Sequence, residues 1–192
     1  MLGLIIIIHV VIRVKKGNID IHNHVKLTKE DFYVKNNYCI RYSCMNGHVN
    51  IVKYLHKIIG FDVQDFRVYN NYACRFSCAY GHINVVKYLH KIIGLTGQDF
   101  KSESHYKYCC DLGYLNVLRY LHEVIGFNTQ DFRVSNNFMC RYSCILGHID
   151  IVKYLHQNIG LTKEDFQSNN NEAYELAYND SNMSIIEYLS LM

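Results

Sequence analysis

The chain has 192 residues, 49% of them hydrophobic and 19% charged, which suits one folded domain or a short array of repeats and excludes an intrinsically disordered chain. Its formal net charge of +3 is too small, taken over the whole chain, to argue for nucleic acid or an anionic membrane as partner. The surplus is uneven, because residues 167–192 hold four acids (Glu172, Glu175, Asp180, Glu187) and no Lys or Arg, and proline is absent throughout, so Gly, Asn, Asp, Ser and Thr must set every turn.

The N-terminal stretch "MLGLIIIIHVVIRVKK" is apolar from Leu4 to Val14, apart from His9 and Arg13. That is far short of the ~20 residues a spanning helix needs. No basic residue precedes the run and no small-residue cleavage site comes after it, so neither a membrane span nor a cleaved signal peptide is expected. Residues 1–32 read as a degenerate first unit that caps the neighbouring repeat, with Leu4–Val14 as its opening helix. Its β-branched composition leaves a strand or disorder open. A membrane tether through residues 1–16 is the competing reading.

From Gly47 onward a phrase repeats. "GHVNIVKYLH" returns as "GHINVVKYLH" at Gly81, "GYLNVLRYLH" at Gly113 and "GHIDIVKYLH" at Gly147, at spacings of 34, 32 and 34 residues. Gly60, Gly94, Gly126 and Gly160 keep the same rhythm, as do the Asp-Phe pairs ending at Phe32, Phe66, Phe100, Phe132 and Phe166. A fixed period in the thirties is the mark of stacked repeats. The units fall at 33–66, 67–100, 101–132, 133–166 and, as a partial copy, 167–192. The third is two residues shorter because "FKSESHYKYCC" replaces "FRVYNNYACRFSC".

Within the unit from Asn70 to Phe100, Ala73, Cys74, Ser77 and Cys78 recur at helical spacing, with Phe76 and Tyr80 around them. Asn71 reads as the N-cap of this first helix and Gly81 as its stop. A second helix is expected after a short turn. Its caps read as Asn50, Asn84, Asn116, Asp150 and Ser184, and its buried stripe as Val85, Val86, Leu89, Ile92 and Ile93, closed by Gly94. The connectors "FDVQDF", "LTGQDF", "FNTQDF" and "LTKEDF" place Asp, Thr or Asn three residues before an Asp. That is a capping box with Asp in the acidic position, and it predicts one short helical turn in each connector. Helices of about ten residues are weak alone, so their stability must come from stacking.

This unit resembles an ankyrin repeat. Gly81-His82, Val85-Val86 and Leu89 match the family's Gly-His-x-x-Val-Val-x-x-Leu-Leu half. The family's Thr-Pro-Leu-His half is replaced by Tyr72-Ala73-Cys74-Arg75, and by Tyr38-Cys39-Ile40-Arg41 and Phe138-Met139-Cys140-Arg141 in other copies. The variant is similar to the ankyrin-repeat proteins of giant DNA viruses that infect amoebae. The resemblance covers roughly residues 33–192. It implies an all-α solenoid of stacked helix-turn-helix units with loop connectors, no cofactor, no enzymatic activity, and binding of another protein.

Eight cysteines invite a metal or disulfide reading. Cys44, Cys78, Cys110 and Cys144 share one repeat position, and Cys74 and Cys140 another one turn earlier, which are small slots facing the core. A column with a period of 34 spreads thiols apart, whereas zinc needs four ligands within ~2.3 Å of one ion. Reduced, buried thiols and a cytoplasmic setting are therefore expected. His48, His82 and His148 come directly after the turn glycine, while His56, His90, His122 and His156 come after Tyr-Leu. No Gly-rich phosphate loop or H-E-x-x-H motif is present.

Arg41, Arg75, Lys107 and Arg141 form one cationic column, and Lys53, Lys87, Arg119 and Lys153 another. Both reverse in the last copy, to Glu175 and Glu187. A column of this kind serves either as a ladder for an acidic partner or as bonds to neighbouring loops and a solvated face. The expected function is a non-catalytic scaffold that presents helix faces and loop tips to an unidentified protein partner, acting as a monomer, without nucleic acid. Candidate contact residues are those that differ between copies, namely Tyr69, Tyr72, Phe76, Ser102, Glu103, His105, Phe138 and Met139, together with the column Arg41, Arg75, Lys107 and Arg141. A host-ubiquitin adaptor is a further reading by family analogy alone.

Overall fold

The computed structural model describes residues 29–179 and 182–192, so the expected opening helix over Leu4–Val14 and the tether at residues 1–16 lie outside the described residues. Every regular element among the described residues is helical. The chain divides into two units, residues 1–105 and 106–192.

In the first unit, α1 (Lys29–Phe32) leads to the pair α2 (Val34–Met45) and α3 (Val49–Lys57). Next come α4 (Val63–Ala79) and α5 (Ile83–Tyr88), which runs on as a π-helical turn over Leu89–Ile93, and then α6 (Gly97–Lys101). The second unit contains α7 (Leu115–Glu123), α8 (Thr129–Phe132), α9 (Val134–Ile145), α10 (Ile149–Gln157), α11 (Lys163–Phe166), α12 (Ser168–Asn179) and α13 (Met183–Ser190). Within each unit, first helices pack on first helices and second helices on second helices: α2 against α4 and α3 against α5, then α9 against α12 and α10 against α13.

The connectors fold as their sequence predicts. Asp62 Oδ1 accepts from the backbone N–H of Gln64 and Asp65 at 2.8 and 3.3 Å, while Asp65 Oδ2 accepts from the N–H of Asp62 at 2.8 Å. Asn128 with Asp131, and Thr162 with Asp165, form the same reciprocal box. Each satisfies donors that a helix start leaves open. The phenylalanine after each Asp is the anchor: Phe32, Phe66, Phe100, Phe132 and Phe166 are all buried.

After the connector the backbone departs from expectation. Tyr69, Asn70 and Asn71 have φ of 55, 50 and 57°, and Ser135, Asn136 and Asn137 have 53, 57 and 54°, so each trio is one left-handed turn. Asn71 is therefore not an N-cap, and its Oδ1 is buried with no hydrogen-bond partner. Asparagine adopts this region more readily than most residues, but three left-handed residues in succession, one of them Tyr69 or Ser135, are costly, on the order of 1–3 kcal/mol each. Arginine offsets part of that. Arg75 Nη2 donates to the Tyr69 carbonyl at 2.9 Å, and Arg141 Nε donates to the Asn136 carbonyl at 3.0 Å. In the shortened third copy, a 3-10 helix (Ser102–Cys110) stands where the others have a left-handed turn and then α-helix.

The caps of the second helices also differ from expectation. His48, His82, Tyr114, His148 and Asn182 hold the N-cap position, and none makes a side-chain cap bond. Asn50, Asn84, Asn116, Asp150 and Ser184 sit two residues further in, on the exposed first turn. The histidine ring is used elsewhere. His82 Nε2 lies 2.8 Å from the Met45 carbonyl of the preceding copy, and His148 Nε2 lies 3.0 Å from that of Asp111, so each Nε2 carries the proton. Asn182 does the same work with its amide, donating to the Ile145 carbonyl at 2.9 Å. The glycine underneath is required. A Cβ on Gly47, whose φ is +73°, would come 2.5 Å from His82 Nδ1.

Of the expected stripe, Val85, Val86, Leu89 and Ile93 are buried but Ile92 is 55% exposed. The last turn of these helices widens, as in the bond from Ile59 N–H to the Tyr54 carbonyl five residues back, at 3.2 Å. That extra residue per turn rotates Ile59 and Ile93 inward and Ile58 and Ile92 outward.

Candidate interaction surface

Many polar side chains bond one copy to the next, or one connector to the following one. Arg67 forms a two-pronged ion pair with Asp99, Nε to Oδ1 at 2.9 Å and Nη2 to Oδ2 at 3.0 Å, and Arg133 does the same with Asp165 at 2.8 and 2.9 Å. Tyr33 and Lys29 take the arginine's place on Asp65, at 2.6 and 2.8 Å. Burial alone would raise these carboxyls, but the bonds from Lys29, Arg67, Arg133 and the connector backbone hold Asp65, Asp99 and Asp165 below the usual aspartate value. Nδ1 of His56, His122 and His156 hydrogen-bonds the hydroxyl of Tyr88, Tyr154 and Tyr188 in the next copy, at 2.8, 2.9 and 2.8 Å.

All eight cysteines are free and buried. Burial pushes the Cys39 and Cys144 thiols up to about 12 and raises Cys44, Cys74, Cys110 and Cys140 as well, so these six are protonated at neutral pH and poor nucleophiles. No group of three or more His, Cys, Asp or Glu among the described residues is placed to hold a metal ion.

The outward side of the first helices is different. In the first unit Tyr38 stacks on Tyr42 with ring centres 3.8 Å apart, Tyr72 on Phe76 at 4.0 Å, and Phe76 on Tyr80 at 6.0 Å. The Arg41 guanidinium lies 4.4 Å over the Tyr69 ring and 5.2 Å over Tyr72, and His105 lies 5.4 Å from Phe76. Tyr69 and Tyr80 are exposed by 48 and 44%. In the second unit Phe138 stacks on Tyr142 at 4.0 Å and meets Tyr108 edge-on at 5.4 Å, with Lys107 Nζ 4.9 Å over Phe138. Each unit thus presents aromatic rings interleaved with cations.

The structure brings Tyr69, Tyr72, Phe76, His105 and Arg41 together on one face, and Lys107, Phe138 and Arg141 on the other unit's face. Two candidates are corrected. Met139 is fully buried among core side chains, because its place in the Phe138-Met139-Cys140 turn faces inward. Arg75 is 8% exposed and is drawn in by the Tyr69 carbonyl. Lys107 Nζ donates to Ser135 Oγ at 2.7 Å and Arg141 pairs with Glu172, so this column does bond neighbouring loops. The side chains of Ser102 and Glu103 lie outside those described. Tyr38, Tyr42, Tyr80, Tyr108 and Tyr142 join the face without having been expected there. Aromatic residues four apart, at 38/42, 72/76/80 and 138/142, are the signal that marks them in the sequence.

No protein-family model matches the chain, and no curated protein matches it. No helix among the described residues is long and apolar enough to cross a membrane.

Proposed function

We propose that the chain is a non-catalytic protein-interaction scaffold of ankyrin-like repeats, similar to those of giant DNA viruses, which works as a monomer in a reducing cytoplasm and engages a host protein. One observation carries this reading: aromatic rings and cations stacked together, half open to solvent, on the first-helix face of each unit. Tyrosine and arginine held this way supply large contact area at small conformational cost, the composition of binding hot spots. The repeated polar residues, by contrast, are engaged between successive connectors or between copies and leave little chemistry unspent. The buried, protonated thiols favour a reducing compartment and a structural role.

The test is affinity capture from expressing cells with the native chain, with Tyr69→Ser/Tyr72→Ser, and with residues 102–105 replaced by Val-Tyr-Asn-Asn. The reading expects a partner that is recovered by the native chain and depleted at least tenfold by one of the variants. Equal recovery by all three would count against the first-helix face.

A further inference from the structure

The second helices of the first unit carry a surface that the aromatic face does not explain. Lys53, Lys57 and Ile58 on the first of them, and Lys87, Lys91 and Ile92 on the next, hold the same repeat positions, and all six are exposed. Ile58 and Ile92 are 58 and 55% exposed, turned outward by the widened last helical turn. The two helices pack side by side, so the six residues form one ridge. No Asp or Glu occurs between Phe32 and Phe61 or between Phe66 and Gln98. In the connectors, Lys29 and Arg67 engage Asp62, Asp65 and Asp99. Residues 29–105 hold ten Lys and Arg against six Asp and Glu, whereas residues 106–192 hold six against ten. In the second unit the same ridge positions read Arg119, Glu123, Val124 and Lys153, Gln157, Asn158.

We propose that this ridge docks the protein on the surface of an anionic lipid bilayer, with the lysine ammoniums at the lipid phosphates and Ile58 and Ile92 entering the headgroup–acyl boundary. The composition separates this partner from other polyanions. Single-stranded nucleic acid calls for planar side chains on which bases stack, and the exposed apolar residues of the ridge are aliphatic. Protein interfaces deplete lysine and favour aromatics and arginine, which is the chemistry of the first-helix face instead. Lysine beside exposed isoleucine suits a lipid headgroup layer, where long basic stems keep their charge in water while apolar tips go in.

The test is flotation of the full chain with phosphatidylcholine vesicles, pure or containing phosphatidylserine. The main variant is Lys57→Gln/Ile58→Asn/Lys91→Gln/Ile92→Asn, which copies the Gln157-Asn158 pair already accepted by the fourth repeat. Binding to the phosphatidylserine vesicles alone is expected, weakening as salt rises and falling by about twenty-fold or more in the variant. A second variant, Lys57→Glu/Lys91→Glu, keeps both isoleucines and must show the same loss if the first loses its helical signal. Undiminished binding by the folded variant, equal binding to neutral vesicles, or capture of a single-stranded oligonucleotide without vesicle binding would overturn the proposal.

Discussion

The connectors and the outward faces of the first helices use their polar residues in opposite ways. In the connectors one aspartate does two jobs. Asp99 Oδ2 accepts from the Thr96 N–H at 2.8 Å while the same carboxylate clasps Arg67, which directly follows the preceding connector. On the first-helix faces the rings of Tyr69 and Tyr80 stand half in solvent. The connector aspartates are thus consumed within the fold, while rings on the first-helix faces stay accessible. Substitutions at the two places should therefore separate stability from binding.

The largest effect is expected at the connector. Asp165→Ala removes a cap and leaves Arg133 without its carboxylate, so chemical denaturation should show a loss of about 2–3 kcal/mol with partner affinity unchanged per folded molecule. Glycines at two repeat positions sharpen the contrast. Gly47→Ala meets both a left-handed backbone and the His82 ring and should cost about 2–3 kcal/mol, whereas Gly60→Ala, with φ of +79° and nothing within 4 Å, should cost about 1 kcal/mol. Acidification should act in two steps. Burial depresses His82 and His90 below the ordinary histidine value, so the unfolded chain takes up protons first and stability declines as pH falls through about 6.5. The depressed carboxyls of Asp65, Asp99 and Asp165 contribute stability above the unfolded aspartate value. That contribution is lost as pH falls through their lower folded values, which is visible as a second decline in a pH series of denaturation midpoints. The smallest stability effect belongs to the surface: Tyr69→Ser should change stability by about 0.5–1 kcal/mol, through the lost contact with Arg41, yet reduce partner capture.

What the sequence makes legible is local. Asp62 and Asp65, or Asn128 and Asp131, are three residues apart, and a capping box is a property of those few residues, so the connector turns are readable. The small thiol positions are readable because helical period alone puts Cys74 and Cys78 on one face. The left-handed turn is not, because asparagine favours both an N-cap and the left-handed region, and the letters Asn70-Asn71 do not choose between them. The expected caps of the second helices are displaced because His82 is fixed by a carbonyl 37 residues earlier, a contact no local rule contains. The Arg67–Asp99 pair, 32 residues apart, is hidden for the same reason. Ile92 falls outside the core because the stripe assumes 3.6 residues per turn to the helix end. The overall charge of +3 conceals two units of opposite balance, and with them the lysine–isoleucine ridge.

A double-mutant cycle on Arg133 and Asp165 tests most directly whether polar residues tie one connector to the next. Arg133→Ala, Asp165→Ala and the double variant are compared with the native chain by denaturation at neutral pH. A coupling of about 1–3 kcal/mol is expected for a two-pronged, partly buried pair. Strictly additive losses, with coupling near zero, would mean that successive connectors are held by apolar packing alone and would contradict the division of labour drawn between connectors and faces.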